Sequence, residues 1–223
     1  NNDNDNNDNN TNNMNNNNNS DINDDNSKNK KLETVLFNSK TNFDEVYEKL
    51  NEIGRGGFSI VYKCKNKVNN EIYAVKIIDL RPLRLREKFN PMRLRREVDI
   101  MRRLRHPNII QFVEVYENPD SLMVVMEYAP GQELFDVILE KKFFSEADAR
   151  PIFQQIASAL CHLHSMNIIH RDIKPENILI LNSLDPNTGL PIAKLLDFGL
   201  SKYSGLGSAA KTFVGTPCYL APE

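Results

Sequence analysis

The chain has 223 residues, and its 28 Lys and Arg against 30 Asp and Glu leave a formal net charge of −2. This balance, with no apolar run of about eighteen residues and no apolar signal-peptide core, argues against nucleic-acid-binding, membrane-spanning and secreted proteins. We therefore expect a cytoplasmic or nuclear protein without nucleic-acid or membrane partners. Its cysteines lack CxxC spacing, so neither a disulfide framework nor a zinc site is predicted.

Residues 1–42 differ in composition from the rest of the chain. Asn and Asp dominate this segment, and Met14 and Ile22 are almost the only apolar side chains in its first thirty or so residues. Such a sequence has no apolar burial to offset the entropy of ordering, which predicts a disordered region. Residues 43–223 are then the candidate globular domain.

The first half of this domain has the pattern of a sheet with one helix. Short runs rich in β-branched and aromatic residues are separated by turn residues, which predicts antiparallel strands at 47–53, 59–65 and 71–80. Asn90 followed by Pro91 is a helix-start signal, and apolar residues then recur at helical spacing. Strand character returns at 109–116 and 122–128, which completes a five-stranded sheet.

The second half is predicted to be mainly helical beyond a boundary at Pro130 and Gly131. Helices are expected at 133–139 and after Ser145, which forms a capping pair with Asp148. Pro151 predicts a kink in the second helix, or a later start. The apolar face of that helix should carry Ile152, Phe153, Ile156, Leu160 and Leu163. Residues 178–181 and 193–196 read as a small hairpin around a polar turn at 182–191.

A glycine-rich segment between the first two strands indicates a phosphate site. Gly54, Gly56 and Gly57 would allow backbone N–H groups to approach phosphate oxygens without an intervening Cβ. A dinucleotide-binding loop would open a helix, whereas a second strand follows here. The sequence therefore argues against a dinucleotide fold.

Lys76 lies in the middle of an apolar strand, and Glu97 lies on the following helix among apolar neighbours. A buried lysine needs a partner of opposite charge. We interpret the two residues as an ion pair that orients Lys76 toward the α- and β-phosphates of a nucleotide.

The run from His170 to Asn177, with Asp197 further on, carries the strongest chemical signal. Asp172 would accept the proton of a hydroxyl group or orient its oxygen, and Lys174 would neutralise charge on a transferring phosphoryl group. Asn177 and Asp197 offer oxygen ligands suited to Mg²⁺. His170 is interpreted as a packing and hydrogen-bonding residue rather than a base.

These motifs, in this order, resemble the eukaryotic protein kinase family from the glycine-rich loop through Ala221-Pro222-Glu223. The resemblance implies an α+β, bilobal fold, with a five-stranded N-lobe at about 43–128 and a mainly helical C-lobe at about 129–223. Lys174 and the stretch Gly215-Thr216-Pro217 resemble serine/threonine kinases, which implies ATP and Mg²⁺ as cofactors and protein Ser/Thr hydroxyls as acceptors. Ser59, in place of a third glycine, resembles the calcium/calmodulin-dependent group, and the insert at 182–191 with the segment at 212–223 resembles checkpoint-type members of that group.

The resemblance also assigns a nucleotide site by position. Val61, Ala74 and Leu179 would sandwich the adenine, Met126 would guard the back pocket, and the backbone around Glu127 would hydrogen-bond the base. The full set that the resemblance implies for ATP is Ile53, Gly54, Arg55, Gly56, Gly57, Phe58, Ser59, Ile60, Val61, Ala74, Lys76, Met126, Glu127, Ala129, Glu133 and Leu179.

Substrate choice and regulation follow in the same way. Glu133 and Glu176 match acidic positions that receive arginine upstream of the phosphorylated residue, and Thr216 is expected to contact the substrate. Arg171, next to Asp172, implies control by a phosphate on the activation segment. Thr212 is the candidate for that phosphate, added by an upstream kinase.

The sequence ends at Glu223, the last residue of the motif that closes the activation segment in kinases. We therefore expect a fragment or truncated product, weakly active or inactive, in which the apolar face of the long helix meets water. Two alternatives stay open. One is a catalytically impaired, kinase-like regulatory or binding module, and the other is a small-molecule phosphotransferase of related fold, which would lack the peptide-supporting segment.

Overall fold

The computed structural model describes residues 42–85, 90–197, 202–203 and 215–220, without the side chains of Arg93 and of 202–203. Nearly all of the predicted disordered region, the regulatory candidate Thr212 and the closing motif at 221–223 lie outside these residues. Within the described part of the chain, no helix is both long and apolar enough to cross a membrane.

The upper part of the domain is a five-stranded antiparallel sheet, as predicted, and its strand order is β1-β2-β3-β5-β4. Its strands are β1 (Tyr47–Arg55), β2 (Ser59–Asn66), β3 (Ile72–Asp79), β4 (Phe112–Glu117) and β5 (Ser121–Glu127). Strand β4 starts later than predicted because Ile109 forms a parallel bridge to Leu195 of the lower part instead. The Ile110 N–H donates to the Leu195 carbonyl oxygen at 3.0 Å, which ties the two parts together.

Three helices accompany this sheet, where the sequence predicted one. The predicted helix is α3 (Pro91–Arg103), and the Asn90 side chain caps it by accepting from the Met92 N–H at 2.9 Å. Helices α1 (Phe43–Val46) and α2 (Leu80–Arg84) were not predicted. Each is too short to show a helical repeat of apolar residues, which explains why the pattern missed them.

The two faces of the upper sheet bury different clusters, because side chains alternate along a strand. The inner face continues into the main core, which extends into the lower part of the domain. The outer face is covered by α1 and the start of β1. That cluster consists of Phe43, Tyr47, Cys64, Val75, Tyr116, Met123 and Val125.

In the described residues, the lower part contains two small sheets, two α-helices and short 3-10 helices at Pro175–Asn177 and Pro217–Tyr219. Its elements are β6 (Gly131–Glu133), α4 (Leu134–Lys141), α5 (Glu146–Ser165), β7 (Ile168–Ile169), β8 (Ile178–Leu184), β9 (Pro191–Leu195) and β10 (Lys202–Tyr203). The predicted hairpin is β8 and β9, and Asp185 organises its turn by accepting from the Asn187 and Thr188 N–H groups. Strand β6, which extends the sheet to the order β6-β8-β9, was not predicted.

Gly131 makes the pairing of β6 with β8 sterically feasible. A Cβ at this position would lie 2.3 Å from the carbonyl oxygen of Ile180, a backbone atom that cannot move aside. Only glycine therefore fits where the chain leaves the upper sheet and joins the lower one.

Helix α5 starts at Glu146 and runs through Pro151, so the predicted later start is wrong. Ser145 caps the helix by accepting from the Asp148 N–H at 3.1 Å, as the capping pair predicted. The proline removes one backbone hydrogen bond, but the cap and the burial of the apolar residues that follow outweigh this local loss.

The apolar face of α5 is buried, contrary to the expectation that it meets water. Ile152, Ile156 and Leu163 lie in the main core, with Ala159 between them, and the helix packs against β7 and β9. Phe153, predicted on this face, is 74% exposed. One residue turns a helix by about 100°, which carries Phe153 off the stripe that Ile152 begins.

The side chains of Gln155 and Asn108 form hydrogen bonds with the backbone at the outer edge of β9. The Gln155 Oε1 accepts from the Ala193 N–H at 2.9 Å, and its Nε2 donates to the Pro191 carbonyl at 2.7 Å. Asn108 donates from Nδ2 to the Ala193 carbonyl at 2.9 Å. The backbone groups of this edge are therefore satisfied, and β9 is held where it leads into Asp197.

Candidate active site

The predicted catalytic segment lies between β7 and β8, and a positive φ occurs both within it, at Arg171, and just after β9, at Asp197. Arg171 has a φ of 70° and Asp197 a φ of 46°, both in the left-handed region that non-glycine residues rarely adopt. Such conformations persist only where the surrounding contacts fix them, and they cluster at functional sites.

Asp172 is the centre of a hydrogen-bond network that joins the catalytic segment to Thr216. The Thr216 hydroxyl donates to Asp172 Oδ1 at 2.7 Å, and the Thr216 backbone N–H donates to the same oxygen at 3.1 Å. Lys174 donates from Nζ to the Thr216 hydroxyl oxygen at 3.0 Å and lies 3.5 Å from Asp172 Oδ2. Three predicted site residues are thus brought together, although the direct bond between Thr216 and Asp172 was not foreseen.

This network sets the ionisation of Asp172. Partial burial acts to raise the pKa of the carboxyl group, but the Thr216 hydrogen bond and the Lys174 charge outweigh it, so the pKa is below its usual range. A carboxylate with a low pKa is a weak proton acceptor. Of the two roles predicted for Asp172, this favours orienting a hydroxyl group over removing its proton early.

Gly215 holds Thr216 against the catalytic segment. Its φ is 127°, and a Cβ here would lie 2.7 Å from Leu220 Cδ2 and 3.0 Å from the Arg171 carbonyl oxygen. Both the conformation and the close approach require glycine. Glycine before Thr216 therefore allows the segment at 215–220 to contact the catalytic segment at Arg171.

His170 is 2% exposed, and both of its ring nitrogens have partners. Its Nδ1 accepts from the Asp172 N–H at 3.3 Å, and its Nε2 lies 3.1 Å from the Leu196 carbonyl oxygen. Burial lowers the pKa of the ring, which favours the neutral form. These contacts agree with a residue that positions Asp172 rather than one that transfers protons.

Asn177 and Asp197 fit the predicted Mg²⁺ site. Asn177 is buried and donates from Nδ2 to the Asp172 carbonyl at 2.8 Å and to its Oδ2 at 3.1 Å, which leaves the amide oxygen to face a cation. Among the described residues, no cluster of three or more His, Cys, Asp or Glu side chains could hold a metal. A site with few protein oxygens suits Mg²⁺, which usually takes its other ligands from phosphate and water.

Lys76 pairs with Asp197 in this structure rather than with Glu97 as predicted. Its Nζ lies 3.0 Å from Asp197 Oδ1, whereas no ion pair within 4.0 Å joins it to Glu97, both residues being described. Burial raises the pKa of Glu97 to about 7 against the opposing effect of the Lys76 charge, and the Asp197 charge raises it further. In this arrangement the Lys76 charge therefore offsets only part of the cost of burying the Glu97 carboxylate, because the ammonium group contacts Asp197 instead.

The glycine-rich loop forms the turn between β1 and β2. The Gly56 N–H donates to the Ser59 carbonyl at 2.8 Å and closes the turn. A Cβ on Gly57 would meet nothing within 4 Å, so internal packing does not explain this glycine. An open position here agrees with a loop whose backbone approaches a ligand.

The residues predicted to surround the adenine belong to both sheets. Ala74 of β3 is paired with Met126 of β5, and Leu179 of β8 is paired with Glu133 of β6. The hinge from Glu127 to Ala129 connects these two pairs. Other residues of the set lie where β1 ends and β2 begins. Strand β1 ends with Ile53, Gly54 and Arg55, Phe58 precedes β2, and β2 begins with Ser59, Ile60 and Val61.

An acidic cluster lies at the start of α4. Both β6 and α4 pack against the turn at 175–177, which carries Glu176, and the pKa of Glu133 is raised by burial and by the charges of Asp136 and Glu176. Glu176 Oε2 is buried without a hydrogen-bond partner. Sequence reasoning found Glu133 and Glu176 but missed Asp136, although its spacing of three residues from Glu133 at a helix start was a readable signal.

Comparison with known proteins identifies the family of this chain. A family described as "Protein kinase domain" matches residues 47–223. The chain therefore belongs to the protein kinase domain family, whose members generally use ATP and Mg²⁺, as the sequence resemblance indicated.

Its relatives are serine/threonine kinases. Myosin light chain kinase A of Dictyostelium discoideum is 45% identical over 183 residues, 82% of this chain and 60% of that protein. Calcium/calmodulin-dependent protein kinase type IV of Mus musculus is 42% identical over 179 residues, 80% of this chain and 36% of that protein. Serine/threonine-protein kinase SAPK4 of Oryza sativa subsp. japonica is 45% identical over 179 residues, 80% and 47% of the two chains. The chain thus spans between about a third and three fifths of these relatives.

Proposed function

We propose that the chain transfers the γ-phosphoryl group of ATP to Ser or Thr hydroxyl groups of protein substrates. The observation that carries this proposal is the network of Asp172, Lys174 and Thr216, which places an ionised carboxylate and a cation within one hydrogen-bonded cluster. Phosphoryl transfer depends mainly on positioning and on electrostatic stabilisation, and this cluster supplies both.

Each residue of the cluster has a distinct part in the proposed reaction. Asp172 accepts a hydrogen bond from the substrate hydroxyl and aims its oxygen at the γ-phosphorus. Lys174 stabilises the negative charge that spreads over the transferring group. Asn177 and Asp197 would hold Mg²⁺, which neutralises charge on the phosphates when bound. Lys76 would contact the α- and β-phosphates after leaving Asp197.

We further propose that the preferred substrates carry a basic residue upstream of the acceptor. Glu133, Asp136 and Glu176 form an acidic cluster, and a guanidinium group would satisfy the buried Glu176 Oε2. Such charge-assisted bonds are strong, because both partners are ionised. Activation through phosphorylation of Thr212 by an upstream kinase stays part of the proposal.

The test uses the full chain with Mg²⁺ and ATP on two peptides that differ only by Arg or Glu three residues before a serine. We expect phosphorylation of the Arg peptide, abolished in Asp172→Asn and Lys76→Met. Glu133→Gln should reduce the preference for the Arg peptide without abolishing transfer. Equal activity of the parent and Asp172→Asn would refute the assignment of roles.

A second candidate is a regulatory module that binds nucleotide without transferring phosphate. The pairing of Lys76 with Asp197, instead of with Glu97, favours it, because one carboxylate oxygen of the Mg²⁺ site then faces an ammonium group. Calorimetric binding of Mg²⁺ and ATP, together with absence of peptide phosphorylation, would support this candidate over catalysis.

A further inference from the structure

Lysine side chains contact two successive residues of the hinge, the segment at 127–129 that connects the upper and lower sheets. Lys194 of β9 contacts the Glu127 carboxylate, and Lys63 of β2 lies over the Tyr128 ring at 4.8 Å from its centroid. One cation comes from the lower sheet and the other from the upper. Neither lysine was identified from the sequence as part of the site.

The contact at Glu127 is the more specific of the two. Its Oε1 accepts from Lys194 Nζ at 2.7 Å and from the Gln111 backbone N–H at 2.8 Å. The Glu127 N–H donates in turn to the Gln111 carbonyl at 2.9 Å. One carboxylate oxygen therefore joins the hinge, the segment before β4 and the lower sheet.

Burial increases the importance of this contact. The Lys194 side chain is 13% exposed and that of Glu127 is 30% exposed, so water replaces the pair poorly if one partner is removed. The orientation of the Glu127 side chain is coupled to its backbone, which begins the hinge segment. If the Glu127 carboxylate moved, the Gln111 N–H would lose its hydrogen bond to Glu127 Oε1. The backbone at the start of the hinge would then be held less firmly.

We propose that Lys194 is a positioning residue for nucleotide binding. By holding the Glu127 carboxylate it fixes the backbone groups of the hinge in the arrangement that receives adenine, so that little ordering is required when ATP binds. This inference rests on the proposed nucleotide site at the hinge. Lys63 supports the same segment through Tyr128, from the opposite side.

The test measures nucleotide affinity and local hinge mobility in the full chain. In Lys194→Met we expect the Kd for Mg²⁺ and ATP, measured by calorimetry, to rise about tenfold. Hydrogen exchange of the nucleotide-free chain should become faster at the amides of 127–129. Lys194→Arg should keep the affinity within about twofold of the parent, because a guanidinium group can also reach the carboxylate.

Lys141→Met is the control for replacing a lysine of the lower part by methionine away from the hinge, since Lys141 lies in α4 and its Nζ contacts the Phe144 ring at 5.1 Å. It should leave both the Kd and the hinge exchange unchanged. If Lys194→Met does not fold, as judged by thermal unfolding, Lys194→Gln carries the same test with a donor retained.

The outcomes separate the two proposals. If the parent binds ATP and the folded Lys194 variants bind it equally well with unchanged hinge exchange, Lys194 has no positioning role. If the parent itself does not bind Mg²⁺ and ATP, the proposed function fails, and this inference fails with it.

Discussion

Thr216→Val tests the network around Asp172 most directly. The substitution keeps the shape of the side chain and removes its hydroxyl group. It therefore removes the 2.7 Å bond to Asp172 Oδ1 and the 3.0 Å bond from Lys174. The bond from the Thr216 backbone N–H to Asp172, at 3.1 Å, is retained. The segment should stay in place while the carboxylate loses one donor.

The size of the effect follows from the charge and burial of Asp172. A hydrogen bond to an ionised group contributes about 1.5–3 kcal/mol, and the Asp172 side chain is only 17% exposed, so water compensates little. If this bond orients Asp172 during transfer, kcat should fall about ten- to a hundredfold. Loss of the bond also raises the pKa of Asp172, so the acid limb of the pH–rate profile should move to higher pH.

The assay is steady-state phosphorylation of the Arg-containing serine peptide, with calorimetry to show that the Kd for ATP changes by less than about twofold. Thr188→Val is the matched control, because the Thr188 hydroxyl also donates to a carboxylate, Asp185 Oδ1 at 3.0 Å, but in the β8–β9 turn. A kcat for Thr216→Val within about twofold of the parent would refute the role given to this network.

Three further predictions concern stability. Gly131→Ala should lower the free energy of unfolding by about 2–4 kcal/mol in urea denaturation, because the added Cβ would lie 2.3 Å from the Ile180 carbonyl oxygen. Glu97 has a folded-state pKa of about 7, raised from 4.5, so its contribution to stability is present at low pH and lost as the pH rises through about 7. Glu97→Gln should therefore exceed the parent in stability by about 2 kcal/mol at pH 8, with a smaller difference at pH 5. The pKa of His106 is lowered by burial and by His162, so its contribution is present above the ordinary pKa and lost as the pH falls through it. His162→Phe keeps the ring stack and should make the thermal midpoint less sensitive to acid.

Each of these predictions has a defined contrary result. Gly57→Ala, whose Cβ would meet nothing within 4 Å, is the control for Gly131→Ala, and equal losses in the two would contradict the steric argument. A constant difference between Glu97→Gln and its parent from pH 5 to pH 8 would show that Glu97 does not titrate in that range. For the histidine pair, parallel acid-denaturation curves of the parent and His162→Phe would exclude an effect of the His162 charge on the titration of His106.

The sheet and the main helices were predictable because their signals are local. Alternating β-branched residues mark the upper strands, and Asn90 and Ser145 mark helix starts through the caps that they form. The short elements α1, α2 and β6 were not predicted, because three to five residues are too few to show a periodic pattern. Phe153 was misplaced because an apolar side chain next to a helical stripe looks like part of it.

The order and spacing of the motifs by themselves indicated the family and the residue types proposed for the chemistry, since phosphoryl transfer requires cations, metal ligands and a group that orients the acceptor. Tertiary structure decided which of those groups touch. It placed Lys76 on Asp197 instead of Glu97, brought Thr216 to Asp172 across a gap of 44 residues, and joined Lys194 to Glu127 across the two sheets. The physical reason is that partners distant in the chain are chosen by burial and competition between charges, which no local pattern records.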